Sequence, residues 1–469
     1  MKQIPTTLMI VFMVFFTSHS SGQNIVKLSV SDAVNMALNN SIDLKNLKLD
    51  EEIQAYKNKE YVGAAYPQIN ASGNVTHYTN LPQFIFPTSD IQVYQVLAKE
   101  GVKDKNGNPI DISQATFGFQ PISLVAPWNY QAGLDVQQVL FQPDLFIAIQ
   151  ARKAVLDFAR KNTEAGEVNV KENVTKSYYG VLIARKQKEV AQNTLTRLTQ
   201  LHTEMDKMYQ AGFIEKLDLD KLSVTINNTS SVIHQLNNTI HITEAVLKNT
   251  LMIPQQDSLI LTDALTMENI ESEIMVAESG FRYENRKEYA VLESAIQLQK
   301  LDQRRNKIAY APTLAAFYQL QRSGLRDNKY DVDGSGPWFS YTSGLIGLSI
   351  SQPIFDGLQR RSRIQQARLS IEKLENNMIQ LKQGIDLEQT VNKNTLRNAL
   401  DNLKMQERNM HLAENVFEVT TKKYQSGVGS SIEMLQADTE YQRASGNYFQ
   451  ALYDAAIAKV SYLKSLGKL

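Results

Sequence analysis

Gly133-Leu134-Asp135-Val136-Gln137-Gln138-Val139-Leu140-Phe141 returns, with substitutions, as Gly347-Leu348-Ser349-Ile350-Ser351-Gln352-Pro353-Ile354-Phe355, 214 residues later. What surrounds each copy repeats as well. Tyr209-Gln210-Ala211-Gly212, followed by Leu217-Asp218-Leu219, comes back as Tyr424-Gln425-Ser426-Gly427, followed by Ile432-Glu433-Met434, at an offset of 215. Upstream, Asn40, Leu47 and Tyr66-Pro67-Gln68-Ile69 find counterparts in Asn285, Leu292 and Ala311-Pro312-Thr313-Leu314 at an offset of 245. Self-similarity at a fixed offset marks one structural unit used twice. The larger first offset puts an insertion in the first half, between residues 68 and 133.

Downstream of each quoted element the chain reads as a long helical hairpin. None of the 12 prolines lies in residues 144–253 or 354–469, and a proline inside a helix costs about 3 kcal/mol. Within those stretches Val174, Tyr178, Val181 and Leu182 in one half, and Leu396, Leu400 and Leu403 in the other, recur at three- and four-residue spacing, the period of a helix face. Gly212 and Gly427 stand where the chain can turn back, because glycine tolerates positive φ. At 1.5 Å per residue each arm would reach roughly 70 to 100 Å.

The stretches before the helices have the opposite period. Trp128, Tyr130, Ala132, Leu134 and Val136 alternate with Asn129, Gln131, Gly133, Asp135 and Gln137, and Ile69, Ala71, Gly73 and Val75 with Asn70, Ser72, Asn74 and Thr76. Such alternation puts apolar groups on one face of a strand and polar groups on the other. Gly344 to Ile350 alternates less cleanly, and Thr313 to Gln321 is weaker still. Four strands of about ten residues suit a transmembrane β-sheet with a lipid face and a wet face. Four cannot close a barrel, and an open edge in lipid leaves backbone groups unpaired, so closure would come from further subunits. The competing reading is a soluble sheet packed on the helices. Trp128 and Trp338, each just before the second strand of its pair, and Tyr130 are candidates for a membrane-interface girdle. Residues 80–127, with five of the prolines, read as a long loop. Asp331-Val332-Asp333-Gly334-Ser335-Gly336 resembles the start of a calcium loop, but without the third acid and the distal Glu it reads as a surface turn.

Lys2, the apolar run Leu8 to Phe16 and the small residues up to Gly22 read as a secretory signal over residues 1–22, against the competing reading of an uncleaved anchor, for which an apolar run of about nine residues is short. Lysine plus arginine equals aspartate plus glutamate at 49 each, with no cysteine. That balance gives no support for a nucleic-acid partner, and thiolate metal sites and disulfides are excluded. The six histidines are scattered, with no metal-protease pair, phosphate loop or dinucleotide motif. No enzyme, metal site or cofactor is expected.

The doubled Gly-Leu-x-x-x-Gln-x-[Leu/Ile]-Phe element, the doubled Tyr-Gln-x-Gly turn, and the opening Val30-Ser31-Asp32-Ala33-Val34 to Asn40 resemble the TolC family of outer-membrane efflux and secretion channels. The resemblance spans nearly all of the mature chain. It implies a mainly α protein with a β-barrel portion: a homotrimer with four strands per subunit in one 12-stranded outer-membrane barrel, continued by a periplasmic α-helical barrel. The segments are then a lead-in at 23–66, a first strand pair with its extracellular loop at 67–142, a first hairpin at 143–253 and an equatorial linker at 254–285. A second lead-in at 286–311, strand pair at 312–352 and hairpin at 353–469 follow. The implied partners are the outer-membrane bilayer, a periplasmic adaptor (membrane fusion protein) and an inner-membrane pump or transporter. The family narrows its periplasmic tip with acids after the second turn; the matching positions here are Glu433 and Gln436, with Asp218 and Lys221 in the first hairpin. Ser430-Ser431-Ile432-Glu433 also fits a helix capping box. Turn and adaptor-contact candidates are Tyr209, Gly212, Tyr424, Gly427 and Gly429. A periplasmic coiled-coil adaptor or scaffold without a pore is the alternative; two hairpins in tandem, each after a strand pair, favour the channel.

Overall fold

The computed structural model describes residues 25–266, 268, 270, 280–326 and 338–469. The expected signal at 1–22 and the Asp331–Gly336 turn lie outside the described residues. The chain divides into two compact units: residues 56–152 with 300–368, and residues 1–55, 153–299 and 369–469.

The first unit is built on a sheet of four antiparallel strands, β2 (Gln68–His77), β5 (Trp128–Phe141), β7 (Thr313–Arg326) and β8 (Phe339–Ser351), in the order β2-β5-β7-β8. The numbering leaves β3 (Phe84–Ser89) and β4 (Phe117–Ile122) for a two-stranded ribbon, with helix α3 (Ile91–Lys99) between them. Residues 80–127 are therefore not the plain loop that their prolines suggest. Pro87 and Pro121 sit in the ribbon opposite Phe119 and Ile85. Each ribbon strand has a free side, so a missing N–H is tolerated there. Thr313–Arg326, the weakest pattern in sequence, is a full strand of 14 residues held on both sides, by β5 and β8.

The second unit holds the lead-in helix α1 (Val30–Asn40) and the long helices. Ser29 caps α1 in a capping box with Asp32. The first hairpin is α4 (Pro143–Gln210) and α5 (Lys216–Leu251); the second is α7 (Gln359–Gln425) and α8 (Ser431–Ser465). The remaining helices, α2 (Ile42–Gly63) and α6 (Lys287–Ile308), are both 22 residues long and start 245 positions apart, so the repeat extends through the lead-ins. Two short strands that the sequence does not reveal, β1 (Ile25–Leu28) and β6 (Ser258–Leu261), pair in parallel. They close a core in which Val174, Tyr178 and Val181 are fully buried with Leu247 and Leu251. The Tyr178 hydroxyl donates to the Leu28 carbonyl at 2.9 Å, and burial pushes its pKa up to about 12. Among the described residues no helix is long and apolar enough to cross a membrane.

Candidate functional site: an amphipathic open sheet and a two-hairpin tip

In the sheet, register carries the alternation of single strands across the whole width. On one face Val136 of β5 stands between Ile69 and Tyr318, Leu134 between Ala71 and Leu320, and Tyr318 in turn stands beside Ile346. Ile346, Leu348 and Ile350 of β8 are largely exposed. Polar rows cross the other face: Ser72, Gly133, Gln321 and Ser343 form one, Asn74, Gln131 and Ser323 another. Arg322 breaks the apolar face level with Ala132, and its guanidinium lies 3.4 Å from the Ser340 hydroxyl. The outermost strands β2 and β8 each have a single neighbour. Their free edges expose backbone donors and acceptors that water satisfies and lipid cannot.

The expected girdle residues gather at the end of this sheet where β5 and β8 begin. Trp128 stacks on His77, ring centroids 4.1 Å apart, and Tyr130 meets Trp338 edge-on at 5.1 Å. Glycine at 324 leaves room for the Tyr130 ring, which a Cβ there would meet at 1.9 Å.

At the turns of the hairpins, Gly212 and Gly427 adopt φ +78° and +76°. In each, two consecutive N–H groups fold back on the last carbonyls of the preceding helix: Gly212 and Phe213 on Tyr209 and Met208, Gly427 and Val428 on Tyr424 and Lys423. This is the capping pattern expected where a helix ends in a left-handed residue. Gly429 is held to glycine by contact, since a Cβ would come within 2.9 Å of the Tyr424 nitrogen. Phe213 and Val428 project at the turns, 79% and 84% exposed.

Just inside the turns the hairpins are tied together. Asp218, in the first turn of α5, accepts a short hydrogen bond from Ser431 of α8 and lies 3.8 Å from Lys221. Gln425 donates to Glu204 at 2.8 Å. Deeper in, Arg197 of α4 lies over the stacked rings of Phe417 and Tyr441, 5.4 and 5.3 Å from their centroids. Asp438 of α8 is fully buried; one oxygen accepts from Gln442 at 2.6 Å and the other, Oδ1, has no partner. Burial pushes its pKa up to about 6, against the pull of the Gln442 bond and the Arg197 charge. The Tyr424 hydroxyl is likewise buried without a partner, its pKa raised by burial and then by the charge of Asp218.

Glu433 and Gln436 are exposed and line a groove between α7 and α8 with Val416, Thr420, Glu440 and Arg443. The helix start is capped by Ser430, which accepts from the Ile432 N–H at 3.2 Å. The capping box expected with Glu433 is not formed, which leaves that carboxylate facing the groove. Sequence reasoning missed Arg197 and Asp438, 241 positions apart with no local motif.

Residues 289–468 match the sequence profile of outer membrane efflux proteins. The match covers 180 of the 469 residues, the second lead-in, strand pair and hairpin. The fold extends the likeness to nearly all of the chain. The channel protein CusC aligns with 93% of this chain and 91% of its own at a TM-score of 0.65 and 17% identity. The outer membrane protein VceC of Vibrio cholerae aligns with 93% and 96% at 0.66 and 11%. The open-state MtrE outer membrane channel of Neisseria gonorrhoeae aligns with 93% and 88% at 0.64 and 14%. No curated protein sequence matches the chain. The TolC-like resemblance thus holds at the level of the fold, which this chain shares with these outer-membrane channel proteins.

Proposed function

We propose that three copies of this chain close one barrel of twelve strands in the outer membrane and form a passive conduit for small molecules within a tripartite efflux or type I secretion system. The observation that carries the reading is the sheet: an apolar face and a polar face across four strands, with both edges bare. In lipid such edges must be paired, and copies of the same chain present complementary β2 and β8 edges. The helices continue the duct into the periplasm. Phe213 and Val428, with Tyr209 and Gly212 on one hairpin and Tyr424, Gly427 and Gly429 on the other, meet a periplasmic adaptor. Asp218, Glu433 and Gln436 narrow the tip. Energy for export comes from an inner-membrane pump. Trp128, Tyr130 and Trp338 lie at the outer membrane interface.

Electron microscopy of detergent-extracted protein tests the assembly. Hollow threefold particles support it; a two-fold or compact particle, or a protein that leaves washed membranes without detergent, overturns it in favour of a periplasmic scaffold.

A further inference from the structure

The two ends of the four-stranded sheet differ in charge. At the end where the strands meet helices, residues 56–67, 142–152, 300–312 and 352–368 carry eleven lysines and arginines against four aspartates and glutamates. At the opposite end, residues 78–127 between β2 and β5 carry three against four. The excess is concentrated in the last turns of α6, with Arg304, Arg305 and Lys307, and in the first turn of α7, with Arg360, Arg361 and Arg363.

Helix physics explains only the first of these groups. Cations at a helix C-terminus complement the macrodipole, whereas cations at an N-terminus oppose it. Helix α7 nonetheless opens with arginines and has no acid in its first turn, while its counterpart α4 opens with Asp144. Arg360 is neutralised by Asp356 at 3.4 Å and rests over the Tyr310 ring. Arg361, Arg363 and Arg304 are exposed and face no carboxylate among the described residues. Beside them Ile354 and Phe355, between β8 and α7, are 95% and 80% exposed. An unneutralised cation group directly beside bare apolar side chains, at one end of a sheet with an apolar face, has the chemistry of a headgroup boundary.

We propose that this collar binds the anionic headgroups of phospholipids in the membrane leaflet nearest the helices, with Ile354 and Phe355 among the acyl chains. The inference rests on the reading of the sheet as membrane-spanning. It makes the lipid a specific ligand that fixes the depth and orientation of the barrel, since the other end of the sheet carries no such charge.

The test uses the full chain purified in detergent and exposed to equal amounts of phosphatidylglycerol and phosphatidylcholine, with co-purifying lipid quantified. Phosphatidylglycerol should be enriched about fivefold or more, and the enrichment should fall steeply as salt is raised. The triple variant Arg304→Gln/Arg361→Gln/Arg363→Gln should bring the ratio within about twofold, while Lys99→Gln/Lys103→Gln/Lys105→Gln at the opposite end leaves it unchanged. Equal uptake of both lipids by the unaltered protein, enrichment insensitive to salt, or displacement by inorganic phosphate would each overturn the proposal; the last would make this a small-anion site. These readouts on the unaltered protein decide the matter even where the triple variant does not assemble. A protein soluble without detergent would instead sink the membrane reading itself.

Discussion

The two hairpin tips share a backbone and divide their side-chain chemistry. Both turn on a left-handed glycine, and both are closed by the same pair of backbone bonds. At the repeat offset of 215, however, many polar positions away from the shared Tyr-Gln turn have diverged in type or in burial. Tyr209 is 40% exposed and its counterpart Tyr424 only 6%. In the first hairpin His202 meets the Ser223 hydroxyl at 3.0 Å; the corresponding positions in the second are Phe417 and the buried acid Asp438. Glu215 starts α5 without a side-chain cap, whereas Ser430 caps α8. Duplication kept the turn geometry, and divergence gave one hairpin a cation and the other its aromatic rings and acid.

The sharpest way to break that complementarity is Arg197→Met. It removes the cation over Phe417 and Tyr441 and leaves Asp438 without the nearest opposing charge, so the tip should lose about 3 kcal/mol. Hydrogen exchange in residues 195–205 and 412–442 should then accelerate by roughly two orders of magnitude, while Arg197→Lys recovers part of the loss. A tip whose exchange is unchanged would mean that the contact carries no stability.

Asp438→Asn should act in the opposite direction. The pKa of this carboxyl is raised in the folded state to about 6 from an ordinary 3.8. The folded tip is therefore most stable below about pH 4, loses stability as pH rises through about 6, and carries a penalty of ~2–3 kcal/mol above that. The amide should remove this penalty, so the variant is more stable at pH 7.5 and equal to the parent at pH 4. Thermal unfolding of the tip at both pH values checks the sign, and a variant less stable at pH 7.5 would refute it.

The caps offer a smaller contrast. Ser430→Ala should cost ~1 kcal/mol, and Glu215→Ala close to nothing, since only the serine makes a capping bond. Comparable losses at both sites, measured by chemical denaturation, would show that the tips start their returning helices in the same way. The smallest effect is reserved for Glu433→Gln. With Ser430 capping alone, this change should leave stability within about 0.5 kcal/mol. In planar bilayers it should raise conductance or lower cation preference. Unchanged currents together with a weakened hairpin would return Glu433 to a structural role.

Much of this architecture was legible because it is periodic. The proline-free stretches, the apolar spacing around Tyr178 and Leu403, and the two turn glycines gave the hairpins. The alternation at Trp128 to Gln137 gave a strand in its correct place. β7 was faint because Leu314, Ala315, Ala316 and Phe317 run apolar on both faces. The ribbon in residues 80–127 was masked by Pro87 and Pro121, which an unshared strand edge accommodates. β1 and β6, four residues each and far apart in the chain, carry no pattern that a window could find.

The sequence by itself determined the doubled plan, the long helices with their turns and the two faces of the strands that alternate, because local spacing encodes which side of an element is apolar. It did not set the returning arms, since α5 and α8, at 36 and 35 residues, fall short of the roughly 70 Å expected of them. Only the tertiary structure decided that β5 lies between β2 and β7, that Ser430 caps without Glu433, and that Arg197 meets Phe417, Tyr441 and the buried Asp438. A repeat period states that two segments adopt the same backbone. It carries no information on which side chain of one copy will face which side chain of the other, because that contact depends on packing between segments more than two hundred residues apart.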